Sequence, residues 1–270
     1  MTGDDPFATH GAQVDAVLPT GDPAAIKQLY RDLGDLLAAS VAGGGAVPVL
    51  SLPETLPVVT GLLHHVGGRL LDAGCGPNPI AALALAREDD RRFVVALDIG
   101  LGTVRLAVGV ASQLGTRLPG VVADVEALPF RGGAFDGGVC DDTIEHLPDD
   151  ATGAAELARV LRADGRMVIA TPNRRSLEVV ARKVRDRVRG RRRAPSHYYA
   201  ASSHLREYTW PELERLIASR FTIRERATAG WTGGWRKSLA SSLTRLPPLR
   251  RLSRMVVVVV SPRTGPATPR

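Results

Sequence analysis

The sequence has few of the residues that hold a small fold together covalently or through a metal ion. Of its 270 residues only Cys75 and Cys140 are cysteines, too few for a disulfide framework. No Cys-x-x-Cys pair and no Cys/His ligand spacing occurs, which argues against a zinc module. So few cysteines are typical of a chain in a reducing compartment.

Long apolar runs are also missing. The longest, Ile80–Ala86 and Met255–Val260, fall far below the roughly 18–20 residues needed to span a bilayer. The first seven residues are acidic and polar, whereas a secretory signal would be basic and then apolar. We therefore expect a cytoplasmic protein, and its 44% hydrophobic and 23% charged residues are typical of a globular domain.

Lysine is scarce, yet the chain is basic. It has 3 lysines, 32 arginines, a net charge of +7 and a pI near 10.1. Two stretches concentrate the positive charge: residues 174–193 have ten basic and two acidic residues, and residues 236–254 have six basic residues and no acid. The rest of the chain is net acidic, so the sequence predicts an acidic body with two basic attachments.

Short apolar runs alternate with helical stretches from Arg69 onward, a pattern typical of βαβ units in a parallel sheet. The predicted strands are Arg69–Asp72, Phe93–Asp98, Gly120–Ala123, Phe135–Cys140, Arg166–Thr171, Phe221–Ala227 and Arg254–Ser261. The helical stretches between them are Ile80–Arg87, Thr103–Leu114, Glu126–Leu128, Thr152–Leu161 and Trp210–Ser219. We predict a doubly wound, Rossmann-like α/β domain with a seven-stranded sheet.

Two helices precede the sheet. Asp22 and Pro23 form an N-cap and N1 pair for a helix that ends at Gly43, and a second helix is expected from Pro53 or Glu54 to Val66. We divide the chain into an N-terminal arm with a cap helix (1–52), the main domain (53–262) and a disordered tail (263–270).

Two connections, 172–208 and 230–252, are far longer than the usual ~2–6 residues. We predict that they form a basic lid over the substrate. Residues 176–189 combine an apolar helical stripe with many arginines, which is consistent with contact to an anionic membrane through 174–193 and 236–254. The alternative is that both segments only cap a pocket and that their arginines are solvated.

A glycine-rich turn follows the first predicted strand, in the segment 70–79. Gly74 and Gly76 allow a tight turn and a close approach to a ligand. A dinucleotide fingerprint requires a third glycine at position 79, but that residue is Pro79. Together with the carboxylate of Asp72, this favours a ligand with a cationic group over a pyrophosphate.

Acidic residues also end the next strands. Asp98 ends the second strand, where a carboxylate accepts hydrogen bonds from both hydroxyls of a ribose. Asp124 and Val125 follow the third strand, at a position suited to an adenine edge. Asp141 and Asp142 follow the fourth.

Taken together, these segments resemble the class I S-adenosylmethionine-dependent methyltransferases from Leu70 to Thr171. The segments 161–173 and 204–209 are most similar to the ubiquinone O-methyltransferase branch. Asn78 departs from the family, which usually has a third glycine there. By this resemblance the last strand is antiparallel, and S-adenosylmethionine is the cofactor, held by Asp72, Gly74, Cys75, Gly76, Asp98, Ile99, Asp124, Val125, Cys140 and Asp141.

His146, just past the fourth strand, is the leading general base for an acceptor hydroxyl. Asp142, Glu145 and His146 are spaced to share one face of a helical turn, and we assign them to the catalytic group. In the ubiquinone branch a comparable array is associated with a divalent ion, so Mg²⁺ at these three residues is an alternative, although we expect no metal. His204, Arg206, Tyr198 and Tyr199 are the predicted substrate-binding residues.

The resemblance implies a small-molecule or lipid-linked acceptor. Methylation of nucleic acid is less favoured, because the fourth strand is followed by Asp141-Asp142-Thr143 and not by an Asn/Asp-Pro-Pro-aromatic motif. Two other functions remain open: an RNA-binding protein that uses the basic helix, and a membrane-surface protein with a vestigial cofactor pocket.

Overall fold

The computed structural model describes residues 16–44, 55–190, 204–229 and 246–263, together with His10 and Gln13. Residues 1–9 of the predicted arm, the tail after Arg263, most of the 230–252 connection and the segment 191–203 of the lid therefore lie outside the described residues. None of the helices in the described ranges combines the length and apolarity needed to cross a membrane.

Seven strands and seven α-helices make up the described domain. The strands are β1 (Gly68–Ala73), β2 (Arg92–Asp98), β3 (Gly120–Val122), β4 (Phe135–Asp141), β5 (Leu161–Pro172), β6 (Phe221–Ala229) and β7 (Met255–Pro262). The helices are α1 (Pro23–Ala42), α2 (Leu56–Leu63), α3 (Ile80–Glu88), α4 (Leu101–Gln113), α5 (Asp150–Val160), α6 (Leu177–Val188) and α7 (Trp210–Ile217).

The strands form one mixed sheet in the order β3-β2-β1-β4-β5-β7-β6. β1 to β5 pair in parallel, and β7 lies antiparallel between β5 and β6. This confirms the predicted α/β fold and its antiparallel last strand. The strand order reverses between β1 and β4, and in open α/β sheets ligands bind beyond the carboxyl ends of the strands at this point.

The sheet is buried on both faces, which explains its continuous apolar runs. Seven consecutive residues of β7, Met255–Ser261, are buried. Helices cover both faces, and the sheet separates the core into two clusters, one on each side. Such burial is typical of the central strands of an α/β sheet, and it fixes the strand ends that carry the candidate site.

The predicted start of α1 is confirmed. Asp22 is the N-cap and accepts a hydrogen bond from the Ala24 N–H at 3.0 Å, with Pro23 at the first helical position. α1 lies against α4 at a crossing that only glycine permits, because a Cβ on Gly102 would be 2.2 Å from the Gly34 carbonyl oxygen. This close crossing holds the N-terminal helix over the edge of the sheet.

Two of the predicted helices differ from their expected bounds or type. α2 spans Leu56–Leu63 and ends before Val66, whose N–H bonds the Leu63 carbonyl in a turn. The stretch Glu126–Leu128 forms a single 3₁₀ turn over Val125–Ala127, because Pro129 follows and Asp124 caps it by accepting from the Glu126 N–H.

Candidate functional site

A cavity of about 260 Å³ opens at the carboxyl ends of β1 to β4. We call it the first cavity. Its walls come from the glycine turn after β1, the ends of β2 and β3, the loop after β4 and the inner face of α1. The lining residues are Lys27, Tyr30, Leu33, Leu37, Gly74, Gly76, Pro77, Asp98, Ile99, Thr103, Ala123, Asp124, Val125, Asp142, Thr143, His146, Leu147 and Pro148.

The turn after β1 requires its glycines. Gly74 and Gly76 have φ values of +82° and +62°, in the left-handed region that favours glycine. A Cβ on Gly74 would also lie 2.2 Å from the Thr143 hydroxyl oxygen. The N–H groups of Gly74 and Cys75 donate to the Leu97 carbonyl at 2.8 and 2.9 Å, which folds the turn over the end of β2.

Asp98 holds this turn and also faces the cavity. One carboxylate oxygen accepts from the Gly76 N–H at 3.2 Å, and the other from the Gly100 N–H at 3.0 Å. Burial raises the pKa of Asp98. With the adjacent Ile99, it places a carboxylate on the wall where the sequence predicts a ribose contact.

Asp72 lies behind the turn and does not line the first cavity. Its carboxylate is buried and accepts a hydrogen bond from the Ala82 N–H, near the start of α3, at 3.2 Å. Burial raises its pKa to about 7. Its predicted contact with a ligand therefore remains a prediction.

Asp141, at the end of β4, is also buried. The Thr55 hydroxyl donates to one of its carboxylate oxygens, and the other has no hydrogen-bond partner among the described residues. Burial and the neighbouring Asp142 raise its pKa. Such a carboxylate suits a ligand with a cationic group, because a positive charge nearby would offset the cost of ionising it.

The two cysteines lie in the core behind these carboxylates. Cys75 and Cys140 are buried, and neither lines the first cavity. Burial is the largest cause that raises the pKa of each thiol. Any part they have in binding a cofactor would fall to their backbone atoms.

Asp124 and Val125 do line the first cavity, and Asp124 has a partner that the sequence analysis missed. Lys27 of α1 pairs with the Asp124 carboxylate at 2.7 Å and bonds Glu126 at 2.6 Å. Both carboxylates raise the pKa of Lys27 against the opposing effect of burial. Lys27 is the only lysine or arginine among the described residues that line this cavity.

Tyr30 is a second missed residue. Its hydroxyl lies 2.8 Å from Nδ1 of His146, which lines the same cavity. Burial and the nearby Glu145 raise the pKa of Tyr30, so its hydroxyl stays protonated. The apolar period of α1 indicated a buried face, but it gave no sign that this face would close the cavity.

The loop after β4 corrects one prediction. Asp142, Glu145 and His146 do not share a helical face, because Asp142 has a φ of +49° and the 3₁₀ turn begins only at Ile144. Asp142 is the only described non-glycine residue with a positive φ. Strain of this kind clusters at functional sites.

Glu145 does not line the first cavity. Its side chain is fully buried and accepts a hydrogen bond from the Thr171 hydroxyl at 2.9 Å. Burial raises its pKa well above the usual range. This position keeps the Glu145 side chain away from a ligand in the first cavity, and its catalytic role stays a prediction.

A group of potential metal ligands is present, but it differs from the predicted one. One ligand atom each from Glu145, His146 and His204 lie within 4.8 Å of one another, and Asp142 is not part of this group. Two imidazoles and one carboxylate do not suit Mg²⁺, which prefers oxygen ligands. The residues therefore do not fit the Mg²⁺ alternative.

A second cavity, of about 430 Å³, adjoins the first at Asp142. His204, one of the predicted substrate-binding residues, lines it, and its Nδ1 lies 3.3 Å from a Glu207 carboxylate oxygen. The lining residues are Asp142, Pro172, Asn173, Ser176, Glu178, Val179, Arg182, His204, Glu207, Arg254 and Met255. His204 and His146 pack edge to face with ring centroids 4.9 Å apart, so the two cavities meet at a pair of imidazoles.

Arg206, another predicted substrate-binding residue, lines neither cavity. Arg206 donates to the Leu147 and Pro148 carbonyls at 2.5 and 3.1 Å and pairs with Asp150 at 3.1 Å. These contacts hold the loop after β4 in place, and they occupy the Arg206 guanidinium. Tyr198 and Tyr199 lie outside the described residues.

Known proteins with similar sequences include methyltransferases. Residues 71–169 match the family described as a methyltransferase domain. The chain is 34% identical over 105 residues to a ubiquinone/menaquinone biosynthesis C-methyltransferase of Geotalea uraniireducens, covering 38% of this chain and 45% of that protein. It is 30% identical over 135 residues to a ubiquinone biosynthesis O-methyltransferase of Xanthomonas axonopodis pv. citri, covering 49% and 55%. The chain thus spans about half the length of these relatives.

A solved structure extends the likeness to most of the fold. The magnesium protoporphyrin IX methyltransferase of Synechocystis PCC 6803, solved with bound SAH, superposes with a TM-score of 0.58 at 14% identity. The match covers 90% of this chain and all of that one. At this identity the likeness supports the fold, while the two sequence relatives methylate different kinds of atom, carbon and oxygen.

Proposed function

We propose that this chain, whose residues 71–169 match a methyltransferase domain, is a class I S-adenosylmethionine-dependent methyltransferase that methylates an oxygen atom of a small-molecule or lipid-linked acceptor. The observation that carries the proposal is the first cavity. It lies at the switch point of the sheet, contains the carboxylates of Asp98, Asp124 and Asp142, and opens toward His146.

The residues around this cavity fit the proposed cofactor. Asp98 accepts hydrogen bonds from ribose hydroxyls, Asp124 and Val125 flank the adenine, and the glycine turn admits the amino-acid part of the molecule. The buried Asp141 carboxylate, with one oxygen unpartnered among the described residues, suits its ammonium group. When bound, S-adenosylmethionine supplies a methyl group carried on a positively charged sulfur.

The second cavity is the proposed acceptor site. It contains Arg182 and Arg254 as well as the carboxylates of Asp142, Glu178 and Glu207, so it suits an acceptor with polar groups. His146 would hold and accept the proton that the acceptor hydroxyl loses. Tyr30 orients the imidazole through Nδ1, and closure of the site by α1 excludes water.

The experiment that tests the cofactor is calorimetric titration of the protein with S-adenosylmethionine and with ATP. We expect saturable binding of the first only. Binding of ATP alone would contradict the proposal, because the acid-lined cavity would repel its phosphates.

The acceptor is tested by incubating the protein with methyl-labelled S-adenosylmethionine and an extract of the host cell. Products are then separated into lipid and water-soluble fractions and analysed for oxygen–methyl and carbon–methyl bonds. We expect an oxygen-methylated product that disappears with His146→Ala. A carbon-methylated product would refute the choice of atom while leaving the methyltransferase assignment intact.

A further inference from the structure

Helix α6 has a burial pattern opposite to that of an ordinary surface helix. The side chains of Val179 and Asp186 are buried, and Arg182 lines the second cavity. The apolar stripe of the helix faces outward instead. Its exposed fractions are 39% for Leu177, 38% for Val180, 57% for Val184 and 81% for Val188.

Helical geometry places the exposed apolar residues of α6 on one side and its buried Asp186 on the other. At about 100° per residue, Leu177, Val180, Val184 and Val188 fall within one narrow arc, and Asp186 lies on the opposite side. A soluble surface helix normally buries its apolar stripe, because exposing it costs free energy in water. The outward stripe is therefore a feature that needs an explanation beyond the packing of the domain.

The charges beside the stripe indicate what kind of partner would cover it. Arg185 and Arg187 flank it on either side, and Arg189 follows at the end of the helix; all three side chains are exposed. None of the three forms an ion pair with another described residue. An apolar stripe flanked by arginines matches a bilayer surface with anionic headgroups, where apolar side chains enter the acyl boundary and cations remain at headgroup level.

A second element close to α6 also combines exposed apolar and basic side chains. Leu246, at the start of the 3₁₀ helix Pro247–Leu252, is 51% exposed, and Arg251 is exposed. Asn173, shortly before α6, ties this element to it by donating to the carbonyls of Arg251 and Ser253 at 3.0 and 2.7 Å. The apolar and basic groups of the two elements thus belong to one edge of the domain.

From these observations we propose that the outer face of α6, together with Leu246 and Arg251, docks on an anionic lipid bilayer. The inner side of the same helix contributes Val179 and Arg182 to the second cavity. Docking would therefore place the proposed acceptor site next to the bilayer. The choice of a lipid-linked acceptor rests on the proposed function, but the docking itself does not.

The test is co-sedimentation of the full chain with vesicles, without cofactor or acceptor. One set of vesicles is phosphatidylcholine alone and the other an equal mixture with phosphatidylglycerol. We expect binding to the anionic vesicles only. Raising the salt from 0.1 M to 1 M, which shortens the Debye length from about 10 to about 3 Å, should weaken it strongly.

Three variants separate the contributions. Val184→Asp combined with Val188→Asp should reduce binding at least tenfold. Arg185→Glu combined with Arg187→Glu should reduce it more than about 25-fold, since each basic residue near an anionic surface contributes roughly fivefold. Leu114→Asp is the matched control: Leu114 is also 51% exposed but lies at the end of α4, and its replacement should leave vesicle binding unchanged.

Several outcomes would overturn the proposal. They are no binding to anionic vesicles, equal binding to neutral ones, or binding that the α6 variants do not change. The Val184 and Val188 substitutions also distinguish other covers of the stripe. Dissociation of a dimer would mean that a second copy covers it, and a lower melting temperature would mean that the chain itself does. Loss of RNA binding would mean that RNA covers it. Because cofactor titration is a separate measurement, failure here leaves the methyltransferase assignment standing, and the converse also holds.

Discussion

The Tyr30 hydroxyl lies 2.8 Å from Nδ1 of His146, and this contact joins the N-terminal helix to the candidate general base across 116 residues of sequence. It fixes the orientation of the imidazole and determines which ring nitrogen faces the acceptor. Removing this contact is therefore the most direct test of the role proposed for His146.

Tyr30→Phe keeps the ring packing but removes the hydroxyl. Loss of one hydrogen bond corresponds to about 0.5–1.5 kcal/mol, so we expect kcat to fall roughly 3- to 10-fold and its pH profile to shift, with little change in cofactor affinity. Tyr208→Phe is the matched control, because it removes a buried hydroxyl that donates to Asp150 at 2.6 Å, in a residue that lines neither cavity. A shifted pH profile in both variants would indicate a general loss of structure.

Asp98→Asn tests the ribose position. The amide keeps the size of the side chain but removes its charge, and hydrogen bonds to charged groups contribute about 1.5–3 kcal/mol. We expect the Kd for S-adenosylmethionine, measured by calorimetry, to rise roughly 10- to 100-fold. Asp136→Asn is the control, since Asp136 also accepts a backbone hydrogen bond, from the Arg69 N–H at 2.8 Å, but lies far from the cavity. Unchanged affinity in Asp98→Asn would contradict the assignment.

The raised pKa of Asp72 predicts that its contribution to the free energy of unfolding decreases as the pH rises. Its value is about 7 in the folded protein against 3.8 as the ordinary value, so the folded state binds the proton more tightly. The stabilisation is therefore present below pH 4 and is lost as the pH rises from about 4 through 7. A shift of this size corresponds to a loss on the order of 4 kcal/mol.

Urea unfolding at pH 5 and pH 8 measures this effect. Asp72→Asn should reduce the difference in unfolding free energy between the two pH values, because the amide does not titrate. Asp164→Asn, at an exposed carboxylate, should leave the difference unchanged. An equal difference in wild type and Asp72→Asn would mean that Asp72 is not the titrating group.

Gly102→Ala tests how α1 is held over the first cavity. The new Cβ would lie 2.2 Å from the Gly34 carbonyl oxygen, so α1 must move. We expect a loss of about 1–3 kcal/mol in unfolding free energy and weaker cofactor binding. Gly109→Ala, in the same helix with no atom within 4 Å of its Cβ, should be neutral or stabilising. If both variants behave alike, the glycine crossing does not position α1.

The order of elements could be predicted because each signal is local. The strand ends at Asp98 and Asp141 differ from their predicted bounds by at most one residue, since burial on both faces of the sheet produces continuous apolar runs with polar residues at their ends. The Asp22–Pro23 start of α1 was predicted from capping chemistry that involves only neighbouring residues. The glycine turn at Gly74 and Gly76 was equally visible.

The contacts within the site could not be predicted, because they join residues that are distant in sequence. Nothing local relates Lys27 to Asp124 or His146 to His204. The helical face expected for Asp142 and His146 was wrong, because the loop must leave β4 through a left-handed residue before it can turn. That requirement comes from the sheet edge and not from the spacing of the residues.

The sequence by itself determined a doubly wound sheet with acidic residues at the carboxyl ends of its strands, since hydrophobic period and turn chemistry are written residue by residue. It also determined that α6 is amphipathic. Only the tertiary structure decided that the polar side of this helix faces the domain and its apolar side faces outward. An amphipathic pattern fixes which residues share a face, but the surface against which the helix packs decides which face is buried.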